Sequence, residues 1–213
     1  CGGVQTKVRR GSHGVRGFRR LAHDPKSEMT DHVLIEPPDA DLWVFGYGSL
    51  MWRPGFAFEE QVPARLIGAH RALCVYSFDH RGTPECPGLV LGLDRGGACR
   101  GIAFRVAATH RDDTIAYLRE REQTTNVYHE VKRSVWLDGD PRRRVSALTY
   151  IVDRGHVQYA GRLTLQQQLH YVRQGNGRSG ANRDYVLSTV KSIEMQGFHD
   201  APLHRLATAL TPD

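Results

Sequence analysis

The sequence predicts an α+β fold, a small barrel or strongly curved sheet with helices beside it. Segments rich in β-branched and aromatic residues dominate the chain from Leu42 to about residue 152, whereas helical patterns dominate after Tyr159. No internal repeat or low-complexity linker separates the two parts. Strands followed by helices, instead of alternating with them, favour α+β over a parallel α/β sheet.

Six segments are predicted strands. The first, Leu42 to Tyr47, is a short apolar run that includes a glycine near its end, which is typical of a buried strand entering a turn. The others are bounded by Gly, Pro or Asp and cover 62–76, 88–94, 98–106, 127–137 and 144–152. Six such strands are enough to close a small barrel.

Four segments are predicted helices. Thr109 and Asp112 have the spacing of a capping box, so a helix is expected to begin there and to interrupt the strands. Three further helices are expected over 164–174, 182–196 and 201–210, separated by the turn-rich stretches GNGRSGAN and QGFHDAP.

Composition favours a cytoplasmic protein that does not enter a membrane. The 213 residues suffice for one domain with its own core, and the four cysteines have neither disulfide-framework nor zinc-site spacing. No apolar run approaches the roughly 20 residues that cross a bilayer. A reducing compartment fits these features best.

The net charge of +6 is concentrated in the first 28 residues, which hold seven basic and two acidic side chains. We therefore predict a basic, disordered extension over residues 1–40, with Met29 as a possible true start, and a catalytic domain over residues 41–213. A nucleic-acid-binding role for the extension is an alternative, but the near-neutral remainder argues against a nucleic-acid partner.

Glu122 is the candidate catalytic residue. At 100° per residue it lies on the helix stripe between Ile115 and Leu118, where an apolar side chain is expected, while Glu120 points away. A carboxylate held against a core has a raised pKa, which suits acid–base catalysis. The alternative is that Glu122 only pairs with a cation such as Arg119.

Two loops and one helix supply further candidates. Gly46-Tyr47-Gly48-Ser49-Leu50 can turn sharply after the first strand and present backbone N–H groups to an anion, although a plain tight turn is the simpler reading. In the loop 79–85, Arg81 could clamp a carboxylate, and His80 could titrate near neutral pH. Ser179 or Asn182 is predicted to cap a helix in which Tyr185 could reach a pocket.

Taken in order, these motifs resemble the ChaC-type γ-glutamylcyclotransferases. The resemblance runs from about Leu42 to Leu210 and is carried by FGYGSLMWRPGF, DHRGTPECPG, YLREREQ, YAG and SGANRDY. It implies a γ-glutamylcyclotransferase-like small β-barrel with flanking helices. It also implies cleavage of glutathione to 5-oxoproline and cysteinylglycine without a metal or other cofactor. We expect the chain to act as a monomer or weak dimer.

The same resemblance implies roles for individual residues. Glu122 matches the glutamate of the family's Tyr-Leu-x-x-Arg-Glu pattern, and Arg81 and Tyr185 are further candidates for orienting the substrate. The substrate loop maps onto Phe45, Gly46, Tyr47, Gly48, Ser49 and Leu50.

Other functions stay open at this point. Asn126-Val127 stands where close relatives of the glutathione-degrading type carry Gly-Gly, and the strand RALCVY lacks a usual aromatic pair. The substrate could therefore be another γ-glutamyl amino acid or a γ-glutamylamine. A pocket that binds a γ-glutamyl ligand without cleaving it, and a hydrolase built on Cys86, are the remaining alternatives.

Overall fold

A five-stranded barrel forms the centre of the fold. The computed structural model describes residues 40–122, 125–141 and 143–211, so the extension predicted over residues 1–40 lies outside it except for Ala40. The strands are β1 (Leu42–Gly46), β2 (Glu60–Ser77), β3 (Gly88–Val106), β4 (Tyr128–Leu137) and β5 (Arg143–Val152). They are ordered β1-β3-β2-β4-β5, and parallel pairing of β1 with β5 closes the barrel.

Two of the six predicted strands, 88–94 and 98–106, are not separate, because both belong to a single long strand, β3. Gly96 and Gly97 between them adopt positive φ values of 95° and 72°. The register against β2 shifts nearby, between Ile67 and Ala69. The two glycines therefore permit a local irregularity that keeps the ladder continuous, instead of ending it.

One helix, α1 (Arg111–Glu122), interrupts the strands as predicted, but its predicted capping box is wrong. Thr109 lies inside a 3-10 turn, Ala108–His110, that precedes the helix. The N–H of Ala108 is instead accepted by Oδ1 of Asp41, at 3.1 Å. Sequence spacing could not reveal this partner because Asp41 precedes the first strand.

Three helices follow the strands: α2 (Leu165–Gln174), α3 (Asn182–Met195) and α4 (Ala201–Leu210). Their apolar faces join the core inside the barrel through side chains such as Val172, Ile193 and Leu206. A short hairpin of β6 (Asn176–Gly177) and β7 (Gly180–Ala181) connects α2 to α3. Every helix in the described part of the chain is too short or too polar to cross a bilayer.

The edge of β3 positions the functional site. β1 pairs only with the second half of β3, from Ile102 to Val106, so β1 does not cover the first half. That half pairs with β2 on its other edge, through residues such as Leu89 and Leu91. The barrel is thus open beside Leu89 and Leu91, and side chains from α3 and β4 fill the opening.

Candidate active site

A cavity of about 520 Å³ lies at this opening. Its walls come from the turn after β1, the loop after β2, the end of α1, the start of β4 and the first turn of α3. Seven of the predicted site residues line it: Tyr47, Gly48, Ser49, Leu50, Arg81, Glu122 and Tyr185. A volume of this size suits a small-molecule ligand.

Phe45 and Gly46, also predicted to bind substrate, do not line the cavity. Phe45 is buried in the barrel core, and its carbonyl oxygen accepts a hydrogen bond from Oγ1 of Thr149 at 3.1 Å. Gly46 lies behind the turn, where a Cβ would come within 3.0 Å of the Leu50 Cβ. These two residues support the turn from the core side and do not line the cavity.

The turn after β1 lines the cavity and contains backbone N–H groups that are free to bind a ligand. A 3-10 turn, Ser49–Met51, begins there, and its own hydrogen bonds use the N–H groups of Met51, Trp52 and Arg53. Within the described ranges, the N–H groups of Gly48, Ser49 and Leu50 have no protein acceptor. Such unpaired donors can bind a carboxylate or a developing oxyanion.

Glu122 faces the cavity, as its helix stripe predicts. Its side chain is 19% exposed, while Leu118 on the same stripe is fully buried and Glu120 is exposed. The alternative allowed Arg119 or another cation as the partner, and Arg119 is not that partner, because both its Nε and its Nη2 bind the carboxylate of Glu130. The carboxylate of Glu122 instead contacts Nε of Arg121 at 3.2 Å.

Arg121 joins Glu122 to the turn after β1. Its Nη2 donates to Oγ of Ser49 at 2.9 Å, and its Nη1 donates to the carbonyl oxygens of Arg53 and Pro54. The same guanidinium therefore contacts both the candidate base and the candidate anion-binding turn. Arg121 was missed as a site residue, although its place beside Glu122 in the YLREREQ motif was a signal.

Burial raises the pKa of Glu122, and the positive charge of Arg121 opposes this only in part. Because the pKa is higher in the folded state, the charged carboxylate costs stability once the pH exceeds the ordinary glutamate pKa of about 4.3. The cost grows until the pH passes the raised pKa. Glu122 therefore lowers stability at neutral pH.

The variant Glu122→Gln is accordingly expected to gain stability relative to the parent as the pH rises above about 4.3. Thermal unfolding midpoints of both proteins across the acid and neutral range would measure this. Glu120→Gln, on the exposed face of the same helix, is the matched control. A Glu122→Gln protein that loses stability relative to the parent over this range would contradict the buried position of the carboxylate.

Three polar side chains satisfy the open edge of β3. The side-chain amide of Asn182 accepts from the Leu89 N–H and donates to the Leu89 carbonyl, both at 2.7 Å. The Leu91 N–H donates to the Tyr185 hydroxyl at 3.2 Å, and the Tyr128 hydroxyl donates to the Leu91 carbonyl at 2.8 Å. These side chains act as a substitute for a neighbouring strand.

The predicted capping role of Asn182 is therefore wrong. The N-cap of α3 is Ala181, without a side-chain hydrogen bond, and Asn182 is completely buried against β3. Ser179 is not a cap either, since its Oγ contacts Nδ1 of His80 at 3.0 Å. Asn and Ser before a helix fit capping so well that sequence alone could not identify these distant partners.

Tyrosines surround Glu122. Burial raises the pKa of Tyr47 and of Tyr128 well above the ordinary value, and the nearby negative charge of Glu122 adds to both shifts. Burial also raises the pKa of Tyr185. All three hydroxyls therefore stay protonated at neutral pH and can donate hydrogen bonds. Tyr128 was missed as a site residue because nothing in its strand pattern distinguishes it.

Arg81 lies at the rim of the cavity, where the loop after β2 contacts the turn between β6 and β7. Its Nη1 donates to the Ser179 carbonyl, and its guanidinium carbon lies 5.2 Å from the centre of the Tyr185 ring. Arg178 on the opposite loop binds Asp79 at 2.8 Å. Gly177 permits this close approach, since a Cβ there would overlap the Asp79 carbonyl.

Two other candidate chemistries receive no support at this cavity. Cys86 is exposed and does not line it, and burial raises the pKa of Cys74 behind it to about 12. In the described ranges, no three His, Cys, Asp or Glu side chains are grouped closely enough to hold a metal ion.

Comparison with known proteins decides the family. The family model for ChaC-like proteins matches residues 42–211. The chain belongs to the ChaC-like family. The match begins at the first residue of β1 and continues past the end of α4, so the barrel and all four helices fall within the family region.

Curated relatives in the family are named as cyclotransferases. The glutathione-specific γ-glutamylcyclotransferase of Escherichia coli K12 is 32% identical over 191 residues, which cover 89% of this chain and 81% of that protein. The glutathione-specific γ-glutamylcyclotransferase of Schizosaccharomyces pombe is 30% identical, over 73% of this chain and 84% of that protein.

A solved structure shows the same fold. The crystal structure of the glutathione-specific γ-glutamyl cyclotransferase from yeast aligns with a TM-score of 0.73 and 21% identity, over 80% of this chain and 96% of that chain. The α+β barrel with flanking helices predicted from the sequence is confirmed.

Proposed function

We propose that this chain is a γ-glutamylcyclotransferase that cleaves glutathione to 5-oxoproline and cysteinylglycine. The observation that carries the proposal is a half-buried carboxylate, Glu122, in one cavity with a turn that presents unpaired N–H groups. The names of the ChaC-like relatives support the reaction and the substrate.

The reaction needs no nucleophile from the protein. The α-amine of a γ-glutamyl group can attack its own γ-carbonyl carbon and form a five-membered lactam, while the bond to the leaving nitrogen breaks. Three obstacles remain: the amine is protonated at neutral pH, the chain must be held in a cyclised conformer, and the leaving nitrogen needs a proton.

Glu122 would supply the proton transfers. Its carboxylate accepts a proton from the α-ammonium and donates that proton to the departing nitrogen. The second proton that the ring nitrogen loses ends on the released amine, which leaves as an ammonium group, so the carboxylate is regenerated and no water is consumed. Burial raises its pKa towards that of the groups it must serve, which makes both transfers easier than for an ordinary glutamate.

The turn after β1 would bind the charge on the substrate. N–H groups of Gly48, Ser49 and Leu50 can hold the α-carboxylate or stabilise the oxyanion at the γ-carbonyl, and removal of one such donor typically costs about 2.7–4 kcal/mol. Arg81 and Tyr185, on the facing wall, are proposed to orient the rest of the substrate.

The proposal extends to the domain and its partners. Every residue that lines the cavity falls between Tyr47 and Tyr185, so we assign the activity to residues 41–213 as one catalytic domain. We also propose that the chain acts as a monomer or weak dimer on a small molecule and not on a nucleic acid, since a cavity of about 520 Å³ suits a small ligand.

Incubation of the full chain with glutathione tests the function. We expect 5-oxoproline and cysteinylglycine in equal amounts by mass spectrometry, with faster turnover of glutathione than of γ-glutamyl-alanine. In water enriched in ¹⁸O, ring closure adds no label to the product, whereas hydrolysis would yield labelled glutamate. Labelled glutamate, or no product from either substrate, would contradict the proposal.

A further inference from the structure

A second cavity, of about 800 Å³, lies on another part of the molecule. It shares no lining residue with the candidate active site. One wall is formed by β2 and β3 around His70 and Arg95, and the other by the segment before α2 together with the first turns of α2 and α4. We call it the arginine groove because five arginines line it: Arg71, which pairs with Asp200, and Arg95, Arg154, Arg162 and Arg205.

The arginine groove has an unbalanced positive charge. Its one acidic side chain, Asp94, binds Nε of Arg154 at 2.6 Å and the Tyr159 hydroxyl at 2.9 Å, so its charge is already neutralised. The guanidinium groups of Arg95, Arg162 and Arg205 have no protein acceptor in the described ranges, and all three residues are exposed. Three cations thus face one concavity with their hydrogen-bond donors unused.

Two helices line the arginine groove. The first turns of α2 and α4, each a helix of ten residues, line the groove through residues such as Gln168 and Leu203. Both helix starts are already capped, α2 by Thr164 and α4 by the carboxylate of Asp200, so the attraction for an anion rests on the guanidinium groups. Between the charges lies an apolar surface that includes Leu163 and Leu165, the second of which is 41% exposed.

We propose that the arginine groove binds a small polyanion that carries a diphosphate or triphosphate. Guanidinium groups bind phosphate oxygens in a bidentate manner, and three of them can neutralise a chain of two or three phosphates. The volume is sufficient for a nucleotide-sized molecule. The apolar surface beside Tyr159 would accommodate a ring attached to the phosphates.

Calorimetric titration of the full chain with ADP and with inorganic pyrophosphate tests the proposal. We expect saturable binding to one site at low ionic strength, and weaker binding at physiological salt, where the screening length falls to about 8 Å. Tighter binding of ADP than of pyrophosphate would identify a nucleotide as the ligand, and equal binding would identify the phosphate chain alone. Both outcomes support the proposal that the arginine groove binds a polyanion.

The double variant Arg162→Gln/Arg205→Gln is expected to weaken ADP binding at least about 10-fold, or about 1.4 kcal/mol, because it removes two sets of charge-assisted hydrogen bonds to the phosphates. The matched control is Arg65→Gln/Arg133→Gln, which removes two exposed arginines outside both cavities. Equal weakening by both double variants would show general charge attraction and overturn the proposal. Absence of saturable binding, or tighter binding of a short oligonucleotide than of ADP, would also overturn it.

This test does not depend on turnover. Binding is measured without glutathione. The proposal for the arginine groove can therefore be refuted while the cyclotransferase activity is confirmed, and the activity can be refuted while anion binding is confirmed. Glutathione turnover of the Arg162→Gln/Arg205→Gln variant, expected to stay near that of the parent, shows that the variant is folded.

Discussion

Replacement of Glu122 by glutamine is expected to lower the rate of 5-oxoproline release by about 100-fold or more. Glutamine keeps the shape of the side chain but can neither accept the proton of the α-ammonium nor deliver one to the leaving nitrogen. Substrate binding should persist, because the turn after β1 and the tyrosines around the cavity are unchanged. Steady-state kinetics with glutathione would therefore show a large fall in kcat and a small change in KM.

Glu120→Gln provides the control for this experiment. Glu120 belongs to the same helix and has the same charge, but its side chain is exposed on the opposite face. It should retain turnover close to that of the parent. Near-normal turnover in Glu122→Gln, or an equal loss in both variants, would end the assignment of Glu122 as the base.

Replacement of Asn182 by alanine is expected to destabilise the fold by about 2–6 kcal/mol. The side chain of Asn182 satisfies both the N–H and the C=O of Leu89, and each buried polar group left without a partner costs about 1–3 kcal/mol. Urea denaturation would show this as a lower midpoint with an unchanged slope. The proposed catalytic residues are not altered by the change.

Asn176→Ala is the matched control for the stability measurement. Asn176 lies in the hairpin just before α3 and is exposed, so its replacement should change the free energy of unfolding by no more than about 0.5 kcal/mol. A midpoint for Asn182→Ala as high as that of Asn176→Ala would show that the open edge of β3 does not need this amide.

Local patterns predicted most of the fold but not its long-range partners. The runs of β-branched residues placed β2, β4 and β5 within a few residues of their observed ends, and the helical periodicity placed α2, α3 and α4. Gly96 and Gly97 misled the prediction because a glycine pair that ends one strand and a glycine pair that bends another have the same sequence.

The site was predictable where one element carried the signal. A carboxylate on an apolar helix stripe indicated Glu122, and two glycines after a buried strand indicated the turn at Gly48. Tyr128 could not be found in this way, since its role depends on a partner elsewhere in the chain. Arg121 had a signal in its place beside Glu122, although its bond to Ser49 did not show in the sequence. The comparisons identify the family, whereas the roles of the individual residues await the variants.

Because the first half of β3 is not covered by β1, its backbone N–H groups on that edge stay unpaired during synthesis until α3 has been made. Leu89 and Leu91 leave the ribosome some ninety residues before Asn182 and Tyr185, which satisfy their backbone groups in the finished protein. Until then the nascent chain presents a bare sheet margin that can recruit any extended peptide nearby. A protein terminated ahead of α3 would therefore be prone to self-association and would not survive as a smaller working barrel.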